Sequence, residues 1–393
     1  MKNKTHPTKQ NGNQPRMIAV SSGKGGVGKS TVSANIAVAM ARSGVRVGLV
    51  DADIYGPSIP GMLGLDTNTP PQMNDENKVI PSEAFGVKII SMAMLTADDQ
   101  PSILRGPMVA KYLRMFVAQV EWGELDILLL DLPPGTGDIQ LTLAQAFPIL
   151  GAVIVSTPQD VSLKIARRGL RMMEQVNVPI AGVIENMSGF TCPSCGEVSH
   201  IFHQGGGEEI AADIKVPFLG KIPLDPAIVD SGDNGSPLVV TNPDSPAAQT
   251  FYSIAKELAG PNLAQNGVVL PFNWAIETGL GKPAPVTASG GIHNQPCSLD
   301  FDSAGLHIGW ADGESAVLPA RDLRLACVCA ACRDEVTGAR LLDYESVPLS
   351  IAPVRIWSIG NYALGIAFSD GHNSGIFTFE ALRQMQGANI EDV

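Results

Sequence analysis

"GKGGVGKS", residues 23–30, lies between the short apolar run "MIAVS" at 17–21 and "KSTVSANIAVAMARSG" at 29–44, a stretch of helical period closed by Gly44. The octet fits G-x-x-x-x-G-K-[ST], with Gly23, Gly28, Lys29 and Ser30 in the fixed places. A strand before it and a helix after it are the context in which that pattern binds phosphate. Backbone N–H groups from Gly23, Lys24, Gly25, Gly26, Val27 and Gly28, with Lys29, Ser30 and Thr31 at the helix start, are expected to cradle the phosphates of a nucleotide. Lys29 is expected to reach the β and γ phosphates, and the Ser30 hydroxyl to hold Mg²⁺.

Outward from the loop, strands and helices alternate. "VRVGLVDAD" reads as a second strand, and "LDILLLDLPPG" as a third, apolar on both faces as a buried parallel strand should be. "GAVIVSTP" and "PIAGVIENM" are two more, separated by an amphipathic helix that starts at Asp160. "SPAAQTFYSIAKELAG" predicts a last helix, with Ser245 as cap, Pro246 in the first turn and Gly260 at the end. The alternation predicts an α/β protein with a doubly wound, mostly parallel sheet, whose ligands bind beyond the carboxyl ends of the strands. Residues 1–16 are expected to be a disordered tail, 17–261 the ATPase domain, 262–292 a Pro/Gly-rich linker, and 293–388 a smaller β-rich domain. In the last, "LHIGWADGESAVLPA" reads as a hairpin turning at Asp312-Gly313, followed by two or three strands and a helix over 354–385.

Two strand ends carry carboxylates. Phosphoryl transfer needs one acid to orient Mg²⁺ or its waters and one group to position the attacking water. Asp131, at the end of "LLLD", is assigned to the metal shell and Asp53 to the water; Asp51 is a further candidate for the shell. "PPGTGD", at 133–138, has the glycine content of a loop that moves when the γ-phosphate leaves.

Composition sets limits. A formal net charge of −12 argues against a broad nucleic-acid footprint. No run of about 18 apolar residues occurs, so no membrane span is expected, and the polar first 16 residues are not expected to be a signal peptide. A cytoplasmic protein is expected. Five of the six cysteines fall in two tight clusters, a pattern more typical of metal or redox sites than of structural disulfides.

"FTCPSCGE", residues 190–197, spaces Cys192 and Cys195 by two residues. From the residues themselves several readings stand: a redox pair, an inert loop, a zinc knuckle in one chain with His200 and His203 (C-x2-C-x4-H-x2-H), or half of a site completed by a second chain.

The phosphate loop, with its second lysine Lys24, resembles the deviant loop of the MinD, ParA and nitrogenase-iron-protein class. That resemblance implies a homodimer in which Lys24 touches the partner's nucleotide. It also implies that Asn186 faces the base. "GKGGVGKSTVSANIA", "DADIYGPSIP", "DLPPGTGD", "GVIENMSGF" and "CPSCG", in this order over about 17–260, are similar to the Mrp/ApbC family of iron–sulfur cluster carrier ATPases. The family implies a [4Fe–4S] cluster bridged between two subunits by this Cys pair, slow ATP hydrolysis, and transfer to apo-proteins, with cluster-assembly scaffolds as further partners. His200 and His203 are then ordinary loop residues. Many members carry an additional N-terminal domain where this chain has a short tail, so recipient recognition is expected to differ. The alternatives are an electron-delivering ATPase and a partitioning or positioning ATPase of the same class; the latter needs a basic surface or a basic amphipathic C-terminal helix, which "ALRQMQGANIEDV" does not offer.

"LACVCAACRDE" supplies Cys327, Cys329 and Cys332, and "SDGHNSG" offers His372 as a fourth ligand, together a closed Cys3His set for structural Zn²⁺. Free thiols or an iron–sulfur role are the alternatives. Residues 293–388 resemble the zinc-binding domain at the amino end of gamma-butyrobetaine hydroxylase, whose catalytic iron lies outside that module, so no hydroxylase activity is implied. Cys297 is read as an ordinary cysteine.

Overall fold

The structure is a computed structural model. It describes residues 15–53, 56–66, 71–91, 94, 117, 119–135, 147, 149–159, 173, 178–191, 195, 197–199, 201, 205–260, 275–277, 296–302, 305–310, 312–334, 337, 339–360 and 362–386. The helix expected from Asp160 lies outside them apart from Met173, as do residues 136–138 of the third strand's loop.

β1 (Arg16–Ser21) leads through the phosphate loop into α1 (Lys29–Arg42), then β2 (Val47–Asp51) and the single-turn α2 (Ile59–Met62). β3 (Ser82–Ala84) and β4 (Val87–Ser91) follow, then β5 (Ile127–Asp131), β6 (Ile149–Ser156) and β7 (Ile180–Glu185). The two-residue strands β8 (Phe190–Thr191) and β9 (Val198–Ser199) pair as a ribbon. α3 (Gly206–Asp213), β10 (Phe218–Lys221), α4 (Pro226–Asp233), α5 (Leu238–Thr241) and α6 (Pro246–Ala259) complete the large domain.

Among the described residues the sheet has eight strands in the order β10-β7-β6-β1-β5-β2-β4-β3. Every pairing is parallel except β3 with β4. β2 lies on one side of β1, and the later strands β6, β7 and β10 were added on the other. The loop after β1 therefore opens where the winding reverses, the place where such sheets bind ligands. α1 is buried from Val32 to Met40. Its alanines let it lie against both the sheet and α6. Ser245 caps α6 by accepting from the Ala248 amide at 3.2 Å, with Pro246 next, as the sequence predicts. At the other end Arg16 of β1 donates to the carbonyls of Ala259 and Gly260 at 2.7 and 2.8 Å, tying the last helix to the first strand.

The β3–β4 hairpin was not legible beforehand. Its two-residue turn, Phe85-Gly86, has φ of 51° and 78°, the positive pair of a type I′ turn, but without the Asn or Asp that signals one.

The remaining strands build the small domain. β11 (Ala275–Glu277) lies inside the Pro/Gly-rich segment read as a linker and pairs with β15 (Pro353–Ile359). With β16 (Ala363–Phe368) and β17 (Gly375–Thr378) they form a sheet ordered β11-β15-β16-β17. β12 (Pro296–Phe301), which contains Cys297, joins β13 (Leu306–Trp310) and β14 (Ser315–Leu318) in a second antiparallel sheet. The β13–β14 hairpin turns at Asp312-Gly313 as expected, with Gly313 at φ 90°. α7 (Ala320–Leu325) and α8 (Phe379–Gln384) contribute Leu323, Leu325, Phe379 and Leu382 to the core of these sheets. Trp310, Phe368 and Phe379 sit in a hydrophobic core of this domain's own.

Candidate functional site

The glycines of the phosphate loop have identifiable work. Gly26 and Gly28 take φ of 77° and 78°, which L side chains rarely adopt. Gly28 has a second constraint: a Cβ there would stand 2.3 Å from Asn186 Nδ2. α1 then begins at Lys29, and three of its side chains converge on Asp131, fully buried at the end of β5. Lys29 Nζ lies 2.7 Å from Asp131 Oδ2, and Ser30 Oγ donates to the same oxygen at 2.6 Å. Ser33 Oγ, one turn on, donates to Oδ1 at 2.7 Å. Ser33 is absent from the sequence reading. Its signal was available, because residues three apart share a helix face and Ser30 is already in the motif.

Asp51 is in register with Asp131 on the neighbouring strand and is equally buried. Burial first, then the adjacent Asp131 charge, push its carboxyl up to about 7. Its oxygens accept from the amides of Asp53 and Ile59, both at 3.2 Å, and from Ser91 Oγ at 3.1 Å. Asp51 thus holds the two ends of the segment that carries Asp53. Asp53 is half-buried and accepts from the Gly56 amide at 3.3 Å. Lys24 is exposed, and its carbonyl accepts from Ser22 Oγ at 3.0 Å.

Asn186, immediately after β7, donates from Nδ2 to the Val27 carbonyl at 2.8 Å. It also lines a small pocket with Gly28, Thr31, Met187, Leu224 and Asp225. The phosphate loop and the β7 end are therefore one connected wall. Four residues further, β8 starts the ribbon. The cysteine motif falls between the paired residues Thr191 and Val198, and Cys195 is exposed. Cys192, His200 and His203 lie outside the described residues.

A family model described as NUBPL iron-transfer P-loop NTPase matches residues 13–259, more than half the chain. The chain belongs to that family. Over 243 residues it is 49% identical to an iron-sulfur cluster carrier protein of Pseudomonas fragi, covering 62% of this chain and 85% of the relative. It is 48% identical over 242 residues to the iron-sulfur cluster transfer protein NUBPL of Dictyostelium discoideum, covering 62% and 75%. A nucleotide-binding protein from Archaeoglobus fulgidus, solved with ADP, superposes with a TM-score of 0.51 at 42% identity over 56% of this chain and 86% of that one. A second model, gamma-butyrobetaine hydroxylase-like N-terminal, matches residues 297–383. Both resemblances drawn from the motifs are found.

In the small domain, Cys327, Cys329 and Cys332 follow α7, and His372 comes from the turn between β16 and β17. Their ligand atoms all lie within 4.8 Å of one another, a group able to hold a metal ion. His372 Nε2 stands 3.3, 3.6 and 4.0 Å from the three sulfurs in turn. A tetrahedral ion about 2.3 Å from sulfur and about 2.0–2.1 Å from nitrogen sets those atoms about 3.5 Å apart, so the quartet fits. Burial pushes the Cys327 thiol up to about 12. Burial acts the same way on Cys329, but the Ser374 hydroxyl, the Ala331 amide and the neighbouring thiols outweigh it and bring that thiol to about 7. Arg324 braces the group: Nη1 reaches Cys332 Sγ at 3.1 Å, and Nε pairs with Asp370 at 2.7 Å. Asp370 in turn accepts from the His372 amide at 3.0 Å.

Among the described residues no helix is long and apolar enough to cross a membrane.

Proposed function

We propose that this chain carries iron–sulfur clusters. Two copies hold a [4Fe–4S] cluster on Cys192 and Cys195 of each, and pass it to apo-proteins. The observation that carries the reading is the exposed Cys195, in the segment joining β8 to β9, which follows the same strand end that bonds to the phosphate loop, in a member of the iron-transfer P-loop NTPases. A pair of thiolates is half of a cluster's ligand set, and two-fold symmetry supplies the rest.

ATP binds on the loop from Gly23 to Thr31, with Asn186 beside the base. The Ser30 hydroxyl and Asp131 carboxylate, a hard-oxygen pair, suit Mg²⁺. Lys29 leaves Asp131 for the β and γ phosphates, Lys24 reaches the partner's nucleotide, and Asp53 positions the attacking water. Cys327, Cys329, Cys332 and His372 hold Zn²⁺, which in a closed four-ligand site supplies structural stability and no reaction chemistry. The domain boundaries proposed are those given by the sequence, except that β11 (Ala275–Glu277) joins the small domain's sheet, and cluster-assembly scaffolds are proposed as further partners.

The test is reconstitution under anaerobic conditions, with iron, sulfide and zinc counted per chain. About two irons and about one zinc per chain are expected from one shared four-iron cluster and one structural ion. Cys192→Ala should lose the iron and keep ATP binding, whereas Lys29→Ala should lose turnover and keep a chemically loaded cluster. Wild-type iron and sulfide in Cys192→Ala removes the bridging site. Failure of the loaded dimer to restore a cluster to any apo-acceptor removes the carrier reading.

A further inference from the structure

Glu185, the last residue of β7, is a fully buried carboxylate that the phosphate chemistry does not use. Oε1 accepts from Ser188 Oγ at 2.5 Å, and Oε2 accepts from the Gly207 amide at 2.7 Å. Both partners are uncharged. Gly207 stands in the first turn of α3, and a Cβ there would meet Glu185 Cβ at 2.8 Å. Between Ser188 and Gly207 the chain carries Cys192 and Cys195. One carboxylate therefore grips both ends of the cysteine segment.

The next residue grips the other site. Asn186 donates to Val27 O at 2.8 Å, and its own amide donates to Ser156 O at 2.8 Å. Met187 then takes φ 58°, uncommon for a residue with a side chain. Ser188 N donates to Ile222 O at 2.9 Å directly after it. Bonds on both sides over-determine this turn, as a strained conformation requires.

We propose that Glu185–Asn186 is the joint through which the nucleotide state of the phosphate loop sets the placement of the cysteine segment, with Glu185 as its positioning residue. The significance of that segment rests on the cluster-carrier reading; the coupling itself does not. A nucleotide that shifts the backbone at Val27 and Gly28 must carry the Asn186 amide with it or break that bond. Glu185, one peptide away, transmits the displacement to Ser188 and Gly207 together. This is coupling through a contiguous network whose arrangement both sites bias, and it requires direct evidence of coupling.

Amide hydrogen exchange on the full-length, metal-free chain, with and without a non-hydrolysable MgATP analogue, provides it. In the wild type the analogue should slow exchange over 188–207 by about fivefold or more, the lower end of ordinary site-to-site coupling. Glu185→Ala should abolish that slowing while peptides of the phosphate loop remain protected by the analogue. Ser188→Ala, which removes one hydroxyl and guards against misfolding of the first variant, should weaken it. Glu185→Gln should restore it, because the amide oxygen can accept from Gly207 and the amide N–H can donate to the Ser188 hydroxyl. No change over 188–207 in the wild type, or an undiminished change in Glu185→Ala and Ser188→Ala, overturns the joint. A failure of the carrier reading shows differently, as absent cluster transfer with the exchange response intact.

Discussion

Asp51 shows what one side chain's surroundings do to the whole chain's response to pH. Its carboxyl sits at about 7 in the folded protein against 3.8 for an ordinary aspartate, first because it is buried and second because Asp131 stands beside it. Below 3.8 both the folded and the unfolded chain hold this proton, and the group is neutral to stability. As pH climbs toward about 7 the unfolded chain releases its proton first, so the folded state loses ground; above about 7 the loss is complete. The melting temperature of the nucleotide-free protein should therefore carry a downward slope through this window, and Asp51→Asn should flatten it. A variant whose slope matches the wild type's would sink the assignment. A sequence cannot supply this kind of information. It shows an acid at a strand end, but that Asp51 and Asp131 are side by side is a matter of register between β2 and β5.

At the scale of elements, legibility followed local chemistry. β1, α1 and α6 were readable because each carries its own punctuation: apolar runs, the glycine-lysine-serine start, Ser245 and Pro246 at a helix head. The β3–β4 hairpin was not, because Phe85 occupies a left-handed position with no turn-forming side chain, and long-range packing has overridden propensity. Glu185 was passed over for a similar reason. Its partners Ser188 and Gly207 are separated by the cysteine segment, and nothing in a linear reading joins them. The turn offers a check. A left-handed φ costs a side-chain-bearing residue roughly 1–2 kcal/mol, and Asn bears that cost best. Phe85→Asn should raise the melting temperature of the large domain by about 2–4 °C, the shift that about 1 kcal/mol gives a domain of this size. A fall instead would mean that the half-exposed Phe85 ring contributes more by packing than its backbone costs.

Among the described residues, the large domain's main hydrophobic core runs from Met17 to Leu258, the small domain's runs from Leu299 to Leu382, and these two share no residue. Each domain can therefore melt on its own account. Their means of stabilisation differ. Among the described residues, the large domain buries both faces of the inner strands β2, β5 and β7 of its sheet. The small one rests on short strands and a thiol–imidazole group, able to hold a metal ion, that brings the turn after α7 to the β16–β17 turn; Cys327 and Cys332 are core residues as well as members of that group. Without a cation the Cys327 thiol, pushed up to about 12 by burial, would be neutral, and the Arg324–Asp370 brace would remain to hold the turn. Structural zinc commonly supplies about 10 kcal/mol or more of apparent folding free energy to small sites. Removing it with a strong chelator under reducing conditions, or by Cys332→Ser with His372→Ala, should abolish the cooperative unfolding transition reported by Trp310 fluorescence. Binding of ATP at the phosphate loop should survive. Retention of that transition at less than about a tenth of an equivalent of zinc would show that the small domain stands on packing alone. Simultaneous loss of ATP binding would show that the two cores depend on each other despite sharing no residue.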